Sequence, residues 1–222
     1  MASLRMKPII LSPYMANVNP AVKDAQFRVM NRLCTEIPFH QILTNKPHGE
    51  TLTNLARSCM QKGYDVVMFM DIDAVPLSTT AIEHTINRAY RGTLIGNIQR
   101  SNHIENNQHV FVAPSFMAIS LNYWTWAGQP SFTETHRGDV GEEVTYAWEA
   151  KGWPTQMYMP YYFEESPKEC FSWPLADGMP HFGLGTTFVL VNIPMSYHAF
   201  QIRMGGMVER FLSKCEQIIA EN

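Results

Sequence analysis

Residues 64–77 read YDVVMFMDIDAVPL, an apolar run that ends in two aspartates. The segment from Tyr64 to Met70 is apolar on both faces apart from Asp65, which predicts a buried strand. Asp71 and Asp73 follow it directly. Open α/β sheets bind ligands beyond the carboxyl ends of their strands. The sequence therefore places two carboxylates where a binding site is expected.

Strands and helices alternate on the amino-terminal side of this run. Residues 7–12 and 39–43 are predicted strands. Asn19 followed by Pro20 predicts the start of a helix, and Gly63 predicts the end of a second one. Such alternation with short connections is typical of parallel pairing, because parallel neighbours need a crossover element between them. The sequence thus predicts an α/β fold with a mixed, mostly parallel sheet flanked by helices.

The second half of the chain has a less regular pattern. Strands are expected at 93–98, 110–112 and 116–120, followed by a helix that starts near Gly141 and by a C-terminal helix. Residues 160–186 are rich in Pro, Gly and aromatic residues without a clear period. They are predicted to form long loops, which in a compact domain usually carry function.

The composition favours one globular domain over residues 1–222. Hydrophobic residues make up 45% and charged residues 17% of the chain, which allows one sizeable core. The net charge of −3 provides no bulk attraction to nucleic acid or an anionic membrane. No apolar run approaches the ~20 residues of a bilayer span, and the N-terminal one is too short for a signal peptide. We therefore expect a cytoplasmic protein without a membrane span.

The two aspartates are suited to binding a divalent cation. Asp71 and Asp73 lie two residues apart in an extended chain, so their side chains point the same way. Both can then address one hard cation, or a cation and a ribose hydroxyl. Mg²⁺ or Mn²⁺ would neutralise a bound diphosphate and the charge on a departing nucleoside diphosphate. The alternative is a pair of solvated aspartates at a strand end, since D-x-D alone has low specificity.

Three further segments stand with MDIDAVPL in an order along the chain that resembles a known family. Asn54-Leu55-Ala56-Arg57 precedes it, and FVAPSFMAISLNYWTWAG at 111–128 and GDVGEEVTYAWEAKGW at 138–153 follow it. With MDIDAVPL they resemble the nucleotide-sugar-dependent glycosyltransferases of the GT-A fold. The resemblance implies a single GT-A, Rossmann-like domain, with a nucleotide-binding half over about 1–98 and an acceptor and catalytic half over about 99–222.

The resemblance also implies roles on the donor side. Asp71 would face the ribose or the metal, and Asp73 the metal and the diphosphate. Arg57 would contact the nucleotide or a phosphate, the alternative being a salt bridge on a helix surface. Nucleotide selection is expected in the loop after the first strand, where Tyr14 is a candidate for stacking on the base.

Glu142 and Glu143 are the candidate catalytic residues. In inverting members of the family an acid of this pair deprotonates the acceptor hydroxyl. The family usually has aspartate there, which leaves the choice of glutamate and the inverting mechanism open, and Asp139 is a nearby third candidate. Placement of negative charge at a helix N-terminus is the alternative explanation.

Two histidines and an arginine complete the expected site. His181 in MPHFGLGTTF resembles the late His-x-G loop that supplies a metal ligand in the family, and His198 in SYHAFQIRMGG is the other candidate for that role. One of the two is expected to bind the metal. Arg203 is the expected phosphate partner, since guanidinium recognises phosphate in a bidentate way. Its alternative role is a charge that caps the last helix.

The sequence therefore predicts a metal-dependent glycosyltransferase that uses Mn²⁺ or Mg²⁺ and a nucleoside-diphosphate sugar. The acceptor is a hydroxyl, of a glycan or small molecule by preference, and an inverting mechanism is slightly favoured. A hydroxymethylated DNA base is a second acceptor class, which the net charge of −3 disfavours. The same residues would also suit a nucleotidyltransferase, or a non-catalytic module that binds a nucleotide or a sugar.

Overall fold

The computed structural model describes residues 6–101, 109–162, 184–200, 202–203 and 205–222. Within these ranges the strands are β1 (Pro8–Tyr14), β2 (Phe39–Leu43), β3 (Val66–Met70), β4 (Ala74–Pro76), β5 (Leu94–Arg100), β6 (Val110–Ser120), β7 (Thr155–Tyr162), β8 (Thr186–Leu190) and β9 (Ile193–His198). The helices are α1 (Pro20–Leu33), α2 (His48–Gln61), α3 (Thr79–Tyr90), α4 (Leu121–Trp126), α5 (Glu142–Ala150) and α6 (Met207–Glu221). The predicted α/β class, with one mixed sheet and flanking helices, is confirmed.

The sheet has the strand order β2-β1-β3-β6-β5-β7-β8-β9-β4. β1 is parallel to both β2 and β3, as the alternation of strands and helices predicts. The pair β5–β7 is also parallel. The remaining described pairs are antiparallel, so the sheet contains fewer parallel pairs than expected. Among the described residues no helix separates β5 from β6 or β8 from β9, and neighbours joined in this way can pair antiparallel.

Local signals explain where the elements of the first half begin and end. The side chain of Asn19 accepts a hydrogen bond from the backbone N–H of Ala21 at 2.9 Å, and Pro20 occupies the first position of α1. Gly63, just after α2, has a φ of +74°, a conformation that glycine adopts without a steric penalty. All five residues of β3 are buried, as expected for a strand covered on both faces.

Helices cover both faces of the sheet. One face packs against α1, α3 and α6, with Val22, Ile82 and Phe211 among the buried contacts. The opposite face packs against α2, α4 and α5, where Leu52 and Trp148 are fully buried. Asp71 and Asp73 follow the carboxyl end of β3, an interior strand of this sheet that is covered on both faces.

The structure differs from the sequence prediction mainly in the second half. Residues 110–120 form one strand, β6, which includes Pro114, whereas two strands were predicted at 110–112 and 116–120. β7 extends into the segment predicted to be loop, and residues 163–183 lie outside the described residues. β4, β7, β8 and β9 were not predicted. None of the described helices has both the length and the apolar character needed to cross a membrane.

An irregularity in β5 links these strands. The pairing with β6 shifts register between Gly96 and Asn97, where a Cβ on Gly96 would lie 1.9 Å from the carbonyl oxygen of Phe116. The buried side chain of Asn97 donates to Ser115 Oγ at 3.3 Å and accepts from Ser196 Oγ at 2.6 Å. The bulge thereby ties β6 to β9 by a buried polar contact.

Candidate metal centre

The turn after β3 is held from two directions. The backbone N–H of Asp71 donates to the carbonyl of Ser115 on β6 at 3.1 Å, and that of Ala74 donates to the carbonyl of Asp71 at 3.0 Å. From α1, the side-chain amide of Gln26 donates to the carbonyls of Asp71 at 2.7 Å and Ala74 at 2.9 Å. Gln26 is fully buried. The backbone that carries both aspartates is therefore fixed by main-chain and side-chain bonds.

Pairing of β4 with β9 brings a histidine to the aspartates. Ala74 on β4 lies opposite His198 on β9, and the N–H of Ala199 donates to the carbonyl of Asp73 at 2.9 Å. One ligand atom each from Asp71, Asp73 and His198 lies within 4.8 Å of the others. Asp73 and His198 are buried, while the side chain of Asp71 is 29% exposed. The three side chains form a compact cluster that opens toward solvent through Asp71.

The cluster is strongly polarised. Burial lowers the pKa of His198, but the carboxylates of Asp73, at 3.4 Å, and Asp71, at 3.8 Å, outweigh it and raise that pKa above its usual value. Burial raises the pKa of Asp73, but His198 and the backbone N–H of Ile202 outweigh it and lower that pKa. Asp73 and His198 thus favour the carboxylate and imidazolium forms together. A divalent cation would take the place of the imidazolium proton.

The cluster forms one wall of a pocket of about 350 Å³. Beyond the cluster, the ionisable side chains on the pocket include His48, Asp139 and Arg203. His48 Nε2 lies 3.4 Å from Asp71 Oδ1, on the opposite carboxylate oxygen from His198. The pocket therefore presents acidic groups together with side chains that can carry positive charge, as a site for a cation and an anionic ligand requires.

The three side chains fit a divalent cation. Mn²⁺ binds both carboxylate and imidazole ligands, whereas Mg²⁺ prefers the carboxylate oxygens. The cluster borders an open pocket, so ligands from a substrate can complete the coordination. The arrangement resembles a binding site more closely than a pair of solvated aspartates, because Asp73 and His198 are both buried.

Neither Glu142 nor Glu143 is among the residues that line the described pocket. Glu142 is fully buried and accepts hydrogen bonds from the Asp139 N–H and the Ser101 hydroxyl. Glu143 pairs with Arg137, whose Nη2 is 2.5 Å from Glu143 Oε2. Of the three acidic residues of this segment, Asp139 is the one that lines the pocket. A catalytic role for Glu142 or Glu143 stays a prediction.

The remaining predicted residues have different locations. Arg203 lines the pocket, on its exposed side. Arg57 is exposed on α2 and Tyr14 is half-buried at the end of β1, with Lys23 Nζ 5.0 Å from its ring centroid. Neither is among the residues that line the described pocket. His181 lies outside the described residues.

Two residues of the centre were missed by the sequence analysis. A lone histidine such as His48, at the start of α2, carries no distinctive signal. Gln26 did leave one, because it lies on the apolar face of α1 between Val22 and Val29. A buried polar side chain usually has a hydrogen-bonding task, and here that task is to hold the aspartate turn.

The sequence matches no protein-family model and no curated protein. Solved structures resemble the chain at low identity. A putative nucleotide-diphospho-sugar transferase from Desulfovibrio desulfuricans is 8% identical with a TM-score of 0.48 and covers 98% of each chain. A Drosophila galactosyltransferase 7 mutant, in complex with manganese, UDP-Gal and xylobiose, is 13% identical with a TM-score of 0.48, covering 69% of this chain and 65% of its own. A cytidylyltransferase from Leptospira borgpetersenii is 9% identical with a TM-score of 0.45, covering 69% and 76%.

Proposed function

We propose that this chain is a metal-dependent glycosyltransferase that moves a sugar from a nucleoside diphosphate to an acceptor hydroxyl. The observation that carries the proposal is the cluster of Asp71, Asp73 and His198 on a pocket that Arg203 and Asp139 also line. Donor ligands for a cation, a guanidinium for a phosphate and a carboxylate for an acceptor proton are thus available in one pocket.

The donor diphosphate would bind at the cluster side of the pocket. A divalent cation held by Asp71, Asp73 and His198 would neutralise the charge of the diphosphate. Arg203 extends from the segment that follows β9 and can pair with a phosphate oxygen in a bidentate way. His48 faces the same carboxylate from α2 and supplies a further N–H donor to an anion.

Asp139 is the proposed general base in place of the two glutamates. In the transfer, the acceptor oxygen attacks the anomeric carbon of the sugar while its proton passes to the Asp139 carboxylate. The bond between the anomeric carbon and the diphosphate oxygen breaks, and the leaving nucleoside diphosphate keeps the electron pair. Direct attack of this kind corresponds to inversion, the outcome slightly favoured from the sequence.

The acceptor is proposed to be a hydroxyl of a glycan or a small molecule. A hydroxymethylated DNA base would need a cationic track, which a net charge of −3 does not favour. A nucleotidyltransferase usually has a glycine-rich loop and a basic residue after the first strand. Residues 11–20 read LSPYMANVNP and contain no glycine, which favours sugar transfer.

A thermal-shift screen tests the donor site directly. UDP-, GDP-, CDP- and dTDP-sugars are each added with Mn²⁺ or with EDTA. A donor at 100 times its Kd stabilises the native state by about 2.7 kcal/mol, which for a chain of this size raises the Tm by about 5 to 11 °C. We expect such a shift for the donors of one nucleotide, in the presence of Mn²⁺ and not in the presence of EDTA.

A matched pair of variants locates the site. Asp73→Asn is expected to abolish the Mn²⁺-dependent shift, because it removes a buried anionic ligand. Asp24→Asn makes the same chemical change at an exposed position of α1 and should keep the shift. Absence of a shift with every donor, or an equal shift in Asp73→Asn, would refute the proposed function.

A further inference from the structure

The carboxylate of Glu142 lies directly behind the pocket turn that carries Asp139. Glu142 Oε2 accepts the backbone N–H of Asp139 at 2.8 Å and also the hydroxyl of Ser101. Glu142 Oε1 lies 2.7 Å from His109 Nδ1. The side chain of Glu142 is completely buried. A buried carboxylate needs such partners, because its charge has lost its water shell.

His109 bridges Glu142 and a second carboxylate. The other ring nitrogen of His109 lies 3.1 Å from Glu149 Oε2. A protonated imidazole ring donates from both nitrogens, so the two contacts match the protonated form of His109. Burial lowers the pKa of His109, but hydrogen bonds to the two glutamates outweigh it and raise that pKa. The ring also stacks on Tyr146, with centroids 3.9 Å apart.

The turn at 138–141 is fixed on its other sides as well. Asp139 Oδ1 accepts the N–H of Val140 at 2.7 Å, and Oδ2 accepts from Gln99 Nε2 at 3.3 Å. Gly141 has a φ of +88°, and a Cβ there would lie 2.7 Å from Pro114 Cγ. Pro114, Gln99 and Asp139 all line the pocket. The turn is thus packed against the pocket wall, with Glu142 beneath it.

We infer that Glu142, held by His109, is a positioning residue that fixes the backbone of Asp139 so that its carboxylate faces the reacting hydroxyl. The inference rests on the proposed function, in which Asp139 is the base. Glu142 is then not the base that takes the proton, as one alternative from the sequence had it, but the residue that orients the base. The Asp139 N–H is shared between Glu142 Oε2 at 2.8 Å and Ser101 Oγ at 3.1 Å. The bond to the carboxylate is the shorter of the two, and bonds to a charged acceptor are stronger than bonds between neutral groups.

The amide of Asp139 reports this bond without any assay of activity. The chain has six aspartates, so protein labelled with ¹⁵N-aspartate gives a small set of amide signals. The signal of Asp139 is identified by its loss in Asp139→Ala. We expect Glu142→Gln to move its proton resonance upfield, because the carboxylate acceptor is lost. His109→Gln should move it in the same direction, because Glu142 loses the imidazole that holds its other oxygen. Glu134→Gln, an exposed glutamate that precedes the turn, should leave it unchanged.

Turnover tests the link to catalysis. The probe is release of nucleoside diphosphate from the donor identified by the thermal-shift screen, with water as acceptor. We expect Glu142→Gln to lower kcat on the order of tenfold or more through misorientation of Asp139, while KM for the donor changes less than about threefold. Glu134→Gln should retain both values.

The amide signal, the turnover and donor binding test three separate parts of the inference. An Asp139 amide that does not move in Glu142→Gln overturns the positioning role. A moved amide with unchanged kcat overturns its catalytic consequence. A wild-type protein that binds no donor with Mn²⁺ removes the proposed function, and the amide measurement still decides the positioning. If Glu142→Gln does not fold, His109→Gln decides the positioning role, because it leaves both acceptors of the Asp139 N–H in place and removes only the partner that holds Glu142.

Discussion

Replacement of Gln26 by Met should weaken metal binding although residue 26 is not a metal ligand. Methionine keeps the length of the buried side chain but cannot donate to the carbonyls of Asp71 and Ala74. It also loses the bond that Gln26 Oε1 accepts from Gln41 Nε2 at 3.0 Å. The turn that carries the two aspartates then loses its hydrogen-bonded support from α1.

The size of the effect follows from the bonds removed. A buried hydrogen bond contributes about 1 kcal/mol net, and a buried acceptor left without a partner costs about 1 to 3 kcal/mol. The carbonyl of Asp71 keeps its bond from the Ala74 N–H, so we expect a loss of about 2 to 4 kcal/mol in the free energy of unfolding. Loss of outer-shell support typically weakens metal affinity by about 10- to 100-fold.

Two measurements on Gln26→Met separate stability from binding. Denaturant unfolding gives the first quantity, and Mn²⁺ titration followed by electron paramagnetic resonance gives the second. Gln41→Met is the matched control, because Gln41 bonds to Lys23 and Gln26 but not to the turn. The control should bind Mn²⁺ within about threefold of wild type. Reduced stability with unchanged Mn²⁺ affinity in Gln26→Met would refute the supporting role.

Three further predictions concern other parts of the molecule. The pKa of His109 is raised above 6.5, so its contribution to stability is complete below that pH and is lost as pH rises through the folded value. The difference in unfolding free energy between wild type and His109→Gln should therefore shrink as the pH is raised above about 6.5. Arg203→Ala should weaken nucleoside-diphosphate binding about tenfold in calorimetry with unchanged Mn²⁺ affinity, whereas Arg91→Ala, at an exposed site, should change neither. Gly96→Ala should lose more than about 3 kcal/mol in denaturant unfolding, because its Cβ would meet the Phe116 carbonyl; a loss below about 1 kcal/mol would contradict the bulge geometry.

The first half of the fold could be predicted because its signals are local. A run such as 66–70 is apolar on both faces, and caps such as Asn19 and Gly63 act within a few residues. β8 and β9 differ, since their positions depend on pairing with each other and with strands far along the chain. Their short sequences also carry little periodic signal. Propensity and patterning do not report such long-range pairing.

The candidate site was predictable to the extent that it depends on strand ends. Asp71 and Asp73 follow a strand that the sequence shows clearly. The inward orientation of Glu142 was not predictable, because two adjacent glutamates at a helix start look alike in sequence whether they face solvent or core. Its burial depends on His109 and Ser101, which are 33 and 41 positions away. The residue types that form the site could thus be recognised, whereas the directions of their side chains could not.

The β4–β9 pairing has a consequence for how the chain acquires metal affinity. Asp73 and His198 are 125 positions apart, so their contact closes a long loop and belongs to the class of contacts that form slowly. A fragment that ends with β6 contains both aspartates but lacks the imidazole. Tight Mn²⁺ binding should therefore arise only after the final strands have docked, and the rate at which it arises measures completion of the whole sheet.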